Sequence, residues 1–99
     1  MSQPTSYTWP VVAESVPPTL LLARAVDART VDVIFSEPVV VSEALVPTNY
    51  VITGGAGLTV SAVQQISVDT FRLTTSKQVV GQSYLVTASN IHDLAGNLI

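Results

Sequence analysis

The chain contains no cysteine among its 99 residues. Disulfides and thiolate metal sites are therefore excluded, and the free energy of folding must come from packing and hydrogen bonding. Proteins without disulfides occur in every compartment, so this absence leaves the location of the protein open.

Charged residues are also scarce. They make up 11% of the chain against 47% hydrophobic residues, a balance that excludes a solvated, disordered chain and predicts one folded domain. The net charge is -3, and the four basic residues stand singly along the sequence. Because no basic stripe can neutralise a row of phosphates, we expect no nucleic-acid partner.

A third absence is any long apolar run. No stretch of 18 apolar residues is present, and residues 1–7 have neither the positive charge nor the apolar core of a secretory signal. We therefore expect no membrane partner. The chain is expected to be made in the host cytoplasm without a signal peptide, or else to be a piece of a longer exported protein.

Proline is concentrated at the start of the chain. Residues 1–18 hold four of the six prolines, which predicts an extended N-terminal arm or linker. Four apolar residues of this arm are candidates for docking to a partner: Tyr7, Trp9, Val11 and Val12. The alternative is that Trp9 covers one end of the domain's own core.

Residues 19–99 show the short alternating runs of a β protein. Strands are predicted over residues 19–26, 30–35, 39–41, 49–53, 58–66, 70–74 and 83–88. A helical turn with Ser42 as its cap is predicted in residues 42–48. Strands at about ten-residue spacing without a long helix predict an all-β fold, an antiparallel two-sheet Ig-like or fibronectin-III-like sandwich of about seven strands.

Alternation also predicts which side chains face the core. Val31, Val33 and Phe35 share one face of their strand. The same pattern places three further pairs and one set of three inward: Tyr50 with Ile52, Phe71 with Leu73, Tyr84 with Val86, and Leu58 with Val60 and Ala62. A change of register is predicted within residues 63–66.

Three glycines lie close together in Gly54-Gly55-Ala56-Gly57. A glycine-rich segment can cradle a phosphate, but here no Lys-Ser/Thr follows and the next element is a predicted strand. We interpret the segment as a hairpin turn joining residues 49–53 to a partner strand over residues 58–66.

The chain closes with the turn sequence Asp93-Leu94-Ala95-Gly96-Asn97. We predict a structural turn built by Asp93, Gly96 and Asn97, in which the Asp93 side chain accepts the backbone N-H groups of Ala95 and Gly96. Gly96 is expected to be left-handed. A calcium site formed by Asp93 and Asn97 with Asp27 or Glu37 is the weaker alternative, because the carboxylates are dispersed along the sequence.

Catalysis finds no support in the sequence. His92 is the one histidine, and neither a nucleophile elbow nor an oxyanion loop accompanies it. We therefore expect no enzyme activity and no cofactor. Sugar-binding sites usually require exposed aromatic rings or a metal, and most aromatic residues here are predicted in the core. Carbohydrate is therefore a minor candidate partner.

Five segments in order resemble the bacterial Ig-like domains that are repeated in S-layer proteins and surface adhesins and carried by phage virion proteins. They are Pro17-Pro18, residues 31–39, residues 49–52, residues 81–86 and residues 93–97. The resemblance covers residues 17–99. It departs from many members in one respect, since a further strand often follows the Gly-Asn turn. Either the chain is a short variant, or that strand has been cut off, or the arm around Trp9 to Val12 takes its place.

The resemblance implies a non-catalytic structural or interaction module with protein partners. Our first expectation is a phage virion component that decorates a capsid or tail beside neighbouring subunits. The alternatives are one repeat of a secreted adhesin or S-layer protein at the bacterial surface, or an accessory domain of a secreted hydrolase.

Overall fold

The computed structural model describes residues 5, 6, 8 and 16–99. Within them the strands are β1 (Leu20–Asp27), β2 (Thr30–Phe35), β3 (Tyr50–Thr53), β4 (Val60–Gln65), β5 (Thr70–Thr75) and β6 (Leu85–Ala88). A four-residue helix, α1 (Val41–Ala44), and a 3-10 turn (Pro47–Asn49) lie between β2 and β3. No helix in this described part is long and apolar enough to cross a membrane.

The six strands of the described residues form two antiparallel sheets of unequal width. One sheet has the order β1-β2-β5-β4, and the other contains β3 and β6. The prediction of an all-β, antiparallel, two-sheet chain is therefore confirmed at that level. The number of strands is six rather than about seven.

Both sheets contribute to one hydrophobic core. Phe35 and Phe71 are fully buried and meet edge to face with ring centroids 5.8 Å apart. Across from this wide sheet, Tyr50 and Ile52 of β3 are 4% and 5% exposed. The inward positions predicted for β2, β3 and β5 are thus confirmed. Edge-to-face rings add to the stability that burial provides.

The segment predicted as the strand 39–41 is not a strand. Val39 makes one isolated bridge with Asp93, and α1 begins at Val41. The N-H group of Ala44 donates to the Val40 carbonyl, so the helical turn is closed by its own backbone. Val40 stands at the N-cap position without a side-chain cap, and Ser42 lies inside the helix rather than before it. Contacts with the core outweigh the local β preference of three valines.

The glycine segment is a corner between the two sheets rather than the turn of a regular hairpin. After Gly57, Leu58 makes a single bridge with Ile52. The chain then leaves the narrow sheet, and β4 pairs with β5. The prediction that residues 58–66 pair with the Tyr50 strand was wrong beyond this one bridge.

The register change in β4 occurs earlier than predicted. It lies between Val60 and Ala62, not within residues 63–66. Val60 and Val63 are both half-buried, whereas Ala62 is exposed. An inserted residue shifts the alternation by one, so Val63 takes the inward position expected for Ala62.

The outer face of the wide sheet carries an ion pair in which the Asp32 side chain is buried and the Arg72 side chain is partly exposed. Asp32 is 8% exposed, and its two carboxylate oxygens accept hydrogen bonds from Nε and Nη2 of Arg72 at 2.8 and 3.1 Å. The two residues are directly opposed in the β2–β5 register. The hydrogen bond from Arg72 lowers the pKa of Asp32. A bidentate pair at this position favours the observed register over a one-residue slip.

We predict that Gly54→Ala destabilises the protein more than Gly81→Ala. Both glycines have a positive φ, 124° and 84° respectively. A Cβ on Gly54 would overlap the carbonyl oxygen of Ser83, whereas a Cβ on Gly81 meets open space. Denaturant unfolding should show a loss of at least about 3 kcal/mol for Gly54→Ala and about 1 kcal/mol for Gly81→Ala. Equal losses would contradict the close approach at Gly54.

Candidate functional site

The chain closes in a tight corner organised by the buried carboxylate of Asp93. This residue is 2% exposed. Its Oδ1 accepts the backbone N-H groups of Ala95 at 2.9 Å and Asn97 at 2.8 Å, and its Oδ2 accepts the Asn97 amide at 3.0 Å. The N-H of Gly96 donates instead to the backbone carbonyl of Asp93, and Gly96 has a φ of 91°. The second backbone N-H group that donates to the carboxylate is therefore that of Asn97, whereas the sequence predicted that of Gly96.

The environment of Asp93 keeps it ionised. Burial by itself raises its pKa, but hydrogen bonds donated by the Asn97 amide, by the protonated carboxyl group of Glu37 and by the N-H groups of Asn97 and Ala95 outweigh that effect. The net result lowers the pKa to about 2. A carboxylate that accepts several hydrogen bonds is stabilised in its charged form. The corner is thus built around a fixed negative charge.

A second set of contacts joins this corner to α1. Glu43 accepts the backbone N-H of His92 at 2.9 Å and lies 3.0 Å from its Nδ1. On the other side of the helix, the Asn49 amide donates to the Glu43 carbonyl at 2.9 Å, and the Tyr50 hydroxyl donates to the Ala44 carbonyl at 2.6 Å. These bonds hold a four-residue helix that is too short to be stable alone.

The structure separates Asp27 from the other candidate calcium ligands, whereas the side chain of Glu37 lies within hydrogen-bonding distance of Asp93. Asp93 and Asn97 are adjacent, but Asp27 lies at the β1–β2 turn, where its side chain accepts the N-H of Arg29 at 2.8 Å. The length of β2, about 17 Å, separates that turn from the Phe35 end, where Val39 bridges to Asp93. Within residues 16–99, no group of three carboxylate or imidazole side chains is placed to hold a metal ion.

His92 contacts the Glu43 carboxylate through both its backbone N-H group and its imidazole ring. Its side chain is 41% exposed, and the contacts of its ring in the described residues are to the Glu43 carboxylate. A nucleophilic triad would require a hydroxyl on the imidazole. The four candidate docking residues, Tyr7, Trp9, Val11 and Val12, lie outside the described residues.

The narrow sheet has one strand edge without a neighbour in the described part of the chain. β6 pairs with β3 along one side only. A groove beside its other side is lined by Leu20–Ala23 of β1 and by Tyr84, Leu85 and Val86. Leu21 and Leu85 are 67% and 66% exposed. Apolar surface beside an unpaired strand edge is typical of a protein interaction site.

Solved structures provide the decisive similarity. No protein family and no curated protein matches the sequence. Domains 1–6 of the surface layer protein SbsC match with 28% identity and a TM-score of 0.76, over 86% of this chain and 12% of that one. The N-terminal part of the bacterial S-layer protein SbsC matches with 28% identity and a TM-score of 0.75, over 85% of this chain and 21% of that one. This chain resembles an S-layer protein domain.

The similarity revises the order of our expectations. It supports the alternative of a surface or S-layer module and gives no support to the phage virion component that we had placed first. The chain spans about one eighth to one fifth of the S-layer chains that it matches. The matched region therefore corresponds to one domain of a much longer protein.

Sequence reasoning missed the residues that connect the corner to α1. Glu43 was part of a predicted helical turn, but its contact with His92 spans 49 positions in the chain. Asn49, 8% exposed, was placed in a strand although its side chain holds the helix. A buried asparagine just before a strand is a weak signal for such a role, since it needs partners for its amide.

Acid should selectively remove the contribution of Asp93 to stability. Its folded pKa of about 2 lies below the ordinary 3.8, so its stabilising effect is complete above about pH 4 and is lost as the pH falls towards 2. Thermal unfolding of the natural chain and of Asp93→Asn should therefore give midpoints that differ most above pH 4 and converge on acidification. The variant corrects for the carboxylates that do not contact Asp93, whereas Glu37, which does contact it, titrates together with it. A constant difference across this range would be inconsistent with a lowered pKa.

Removing the Tyr50 hydroxyl should destabilise the helix anchor. Tyr50→Phe leaves the buried Ala44 carbonyl without its donor, and we expect a loss of about 1 to 3 kcal/mol in unfolding free energy. Tyr84→Phe is the matched control, because the Tyr84 hydroxyl accepts the N-H of Val79 at an exposed position. Water can replace that bond, so its loss should stay below about 1 kcal/mol. If denaturant unfolding gives similar losses of unfolding free energy for the two variants, the Tyr50 hydroxyl does not anchor α1.

Proposed function

We propose that the protein is a non-catalytic structural module of a bacterial surface layer and works by contact with neighbouring surface-protein subunits. The similarity to S-layer domains at 28% identity over 86% of the chain is the observation that carries this proposal. The corner at Asp93 supports it, because its buried polar groups are used to hold the chain closed rather than to face a substrate.

We further propose that the sandwich is of the Ig-like type. In a constant-type immunoglobulin domain one sheet has the strand order A, B, E, D and the other contains C, F and G. The order β1-β2-β5-β4 corresponds to the first of these sheets, and β3 with β6 corresponds to C and F. In the described residues the G position beside β6 has no strand. The proposed module is thus an Ig-like domain in which the described residues supply the strands A, B, C, D, E and F.

Residues 1–18 are proposed to serve as the arm of this module and residues 19–99 as its body. The junction is well ordered by contacts: Thr19 and Ser36 exchange hydrogen bonds of 2.8 and 2.9 Å, and Pro18 is fully buried. Pro18, the last residue of the predicted arm, is therefore packed together with the body.

Localisation in the producing cells tests the function directly. An antibody against the chain should label intact cells over their outer surface, and protease added to intact cells should remove the label. A cytoplasmic protein of the same cells is the control and should survive the protease. Labelling that requires lysis, or a chain that sediments with virus particles, would overturn the proposal.

A further inference from the structure

The charged residues of this module are segregated along the direction of its strands. Arg29 lies in the β1–β2 turn, and Lys77 lines the same depression beside that turn. The two other basic residues, Arg24 and Arg72, flank Asp32 in the middle of the wide sheet. These four are all the arginines and lysines of the sequence. The end that contains Arg29 and Lys77 is therefore the basic end of the module.

The opposite end of the strands, where β2 ends at Phe35, is acidic. Four of the six acidic residues in the described part of the chain lie there, namely Glu37, Glu43, Asp69 and Asp93. The carbonyl group of Asp69, for example, accepts the N-H of Phe35 at 2.8 Å. Asp93 is buried and contacts Glu37, so Glu43 and Asp69 supply most of the surface charge of this acidic end.

Each end also exposes large apolar side chains beside its charges. At the basic end Val79 is 65% exposed and Val80 is fully exposed, and both line one depression with the β1–β2 turn. At the acidic end Val68 and Leu94 are 59% and 73% exposed, and each is next to an acidic residue in the sequence. A partner that covers such side chains removes apolar area from water. The two ends are thus alike in apolar character and opposite in charge.

We propose that the basic end of one copy of this module docks on the acidic end of a second copy, so that the copies join head to tail. This inference deepens the proposed function and rests on it, because it specifies how neighbouring subunits of a surface layer meet. The charge complementarity of the two ends is the observation that assigns the partner.

Charge selects a contact between unlike ends over a contact between like ends. Two basic ends would bring Arg29 and Lys77 of one copy against the same residues of the other, and two acidic ends would do the same with carboxylates. Juxtaposed like charges suppress such pairings. A contact between unlike ends uses a different surface on each partner and leaves one end of each kind unused. Further copies can then add to a row.

Charged groups at both ends are available for this contact. Neither Arg29 nor Lys77 takes part in an ion pair within the described residues. At the acidic end the Ser67 and Thr70 hydroxyls donate to Oδ1 of Asp69, at 2.8 and 3.1 Å. Oδ2 of the same carboxylate can therefore accept from a cation of another molecule. Because an exposed ion pair contributes little by itself, the apolar side chains must supply much of the affinity.

Self-association of the full chain at low ionic strength tests the proposal. Light scattering should show an average mass that rises with protein concentration. Added salt should weaken this rise, because exposed charges more than about 10 Å apart are screened at about 0.1 M salt. The direction of the salt effect is diagnostic. The net charge of the chain is -3, so screening of general repulsion between copies would strengthen association instead.

Asp69→Asn separates the proposed contact from general repulsion. The variant keeps an acceptor oxygen for Ser67 and Thr70 and removes one negative charge from a negatively charged chain. If general repulsion dominated, association would become stronger. The proposed contact predicts association that is weaker by about two- to fivefold, the loss of one exposed ion pair.

Val80→Ser tests the apolar part of the basic end. Its matched control is Val51→Ser, because Val51 is 54% exposed in the middle of β3, away from both ends. Val80→Ser should weaken association about tenfold, and Val51→Ser should match the natural chain. Thermal unfolding of both variants shows that each remains folded at the temperature of the measurement.

A mixture of two blocked variants tests the head-to-tail order. Lys77→Glu reverses a charge of the basic end, and Asp69→Lys reverses a charge of the acidic end. Each variant alone should associate about tenfold more weakly, since every contact between unlike ends then includes like charges. In an equimolar mixture the natural acidic end of the first variant meets the natural basic end of the second. Dimers that contain one copy of each variant should therefore form at the natural concentration.

Four results would overturn the proposal. One is a chain that stays monomeric at millimolar concentration and low salt. Another is association that salt leaves unchanged or strengthens. The third is association of Asp69→Asn and Asp69→Lys at the natural strength, which would assign the contact to a surface away from the acidic end. The fourth is a mixture of the blocked variants that stays monomeric. In each case surface labelling of cells still tests the proposed function independently.

Discussion

The unequal width of the two sheets governs the rest of this structure. A two-stranded sheet packed on a four-stranded one covers β2 and β5, and that is where the core lies: Phe35 and Phe71 are fully buried there. β1 belongs to the wide sheet but lies outside the covered area, so seven of its eight residues are exposed. The mismatch creates both the compact core and the open groove beside β6. Burial of apolar area, rather than electrostatics, therefore decides where the core of this small domain lies.

The polar contacts have a different task, which is to hold the chain at places where regular strands end. Asp93 closes the last turn, and Glu43 fastens that turn to α1. Asn49 and Tyr50 hold the other side of the same helix. Because buried polar groups are costly unless they are paired, such a connected set specifies one geometry. These contacts thus hold the end of the chain and the start of β3 against α1.

A module with this design is suited to repetition. Its similarity to S-layer domains rests on a body of about 85 residues, and its open edge offers backbone groups that cannot be satisfied within the described residues. Edge strands are usually protected by charge, bulges or proline. Neither Val86 nor Ala88 has such protection.

The sequence by itself determined the strands whose two faces differ. In residues 30–35, 49–53 and 70–74 the alternation of apolar and polar residues predicted the inward side chains, because a half-buried strand imposes a period of two. It also determined the glycine positions, since a positive φ at Gly81 or Gly96 is a local property. Residues 39–41 were predicted wrongly because three valines favour a strand locally.

Only the tertiary structure decided the long-range arrangement. Whether β4 pairs with β3 or with β5 depends on the corner at Gly54, where the chain passes close to Ser83. The contact of Glu43 with His92 and the opposition of Asp32 to Arg72 join residues 49 and 40 positions apart. No local pattern encodes such pairs, because the two partners meet only when the sheets have formed and packed.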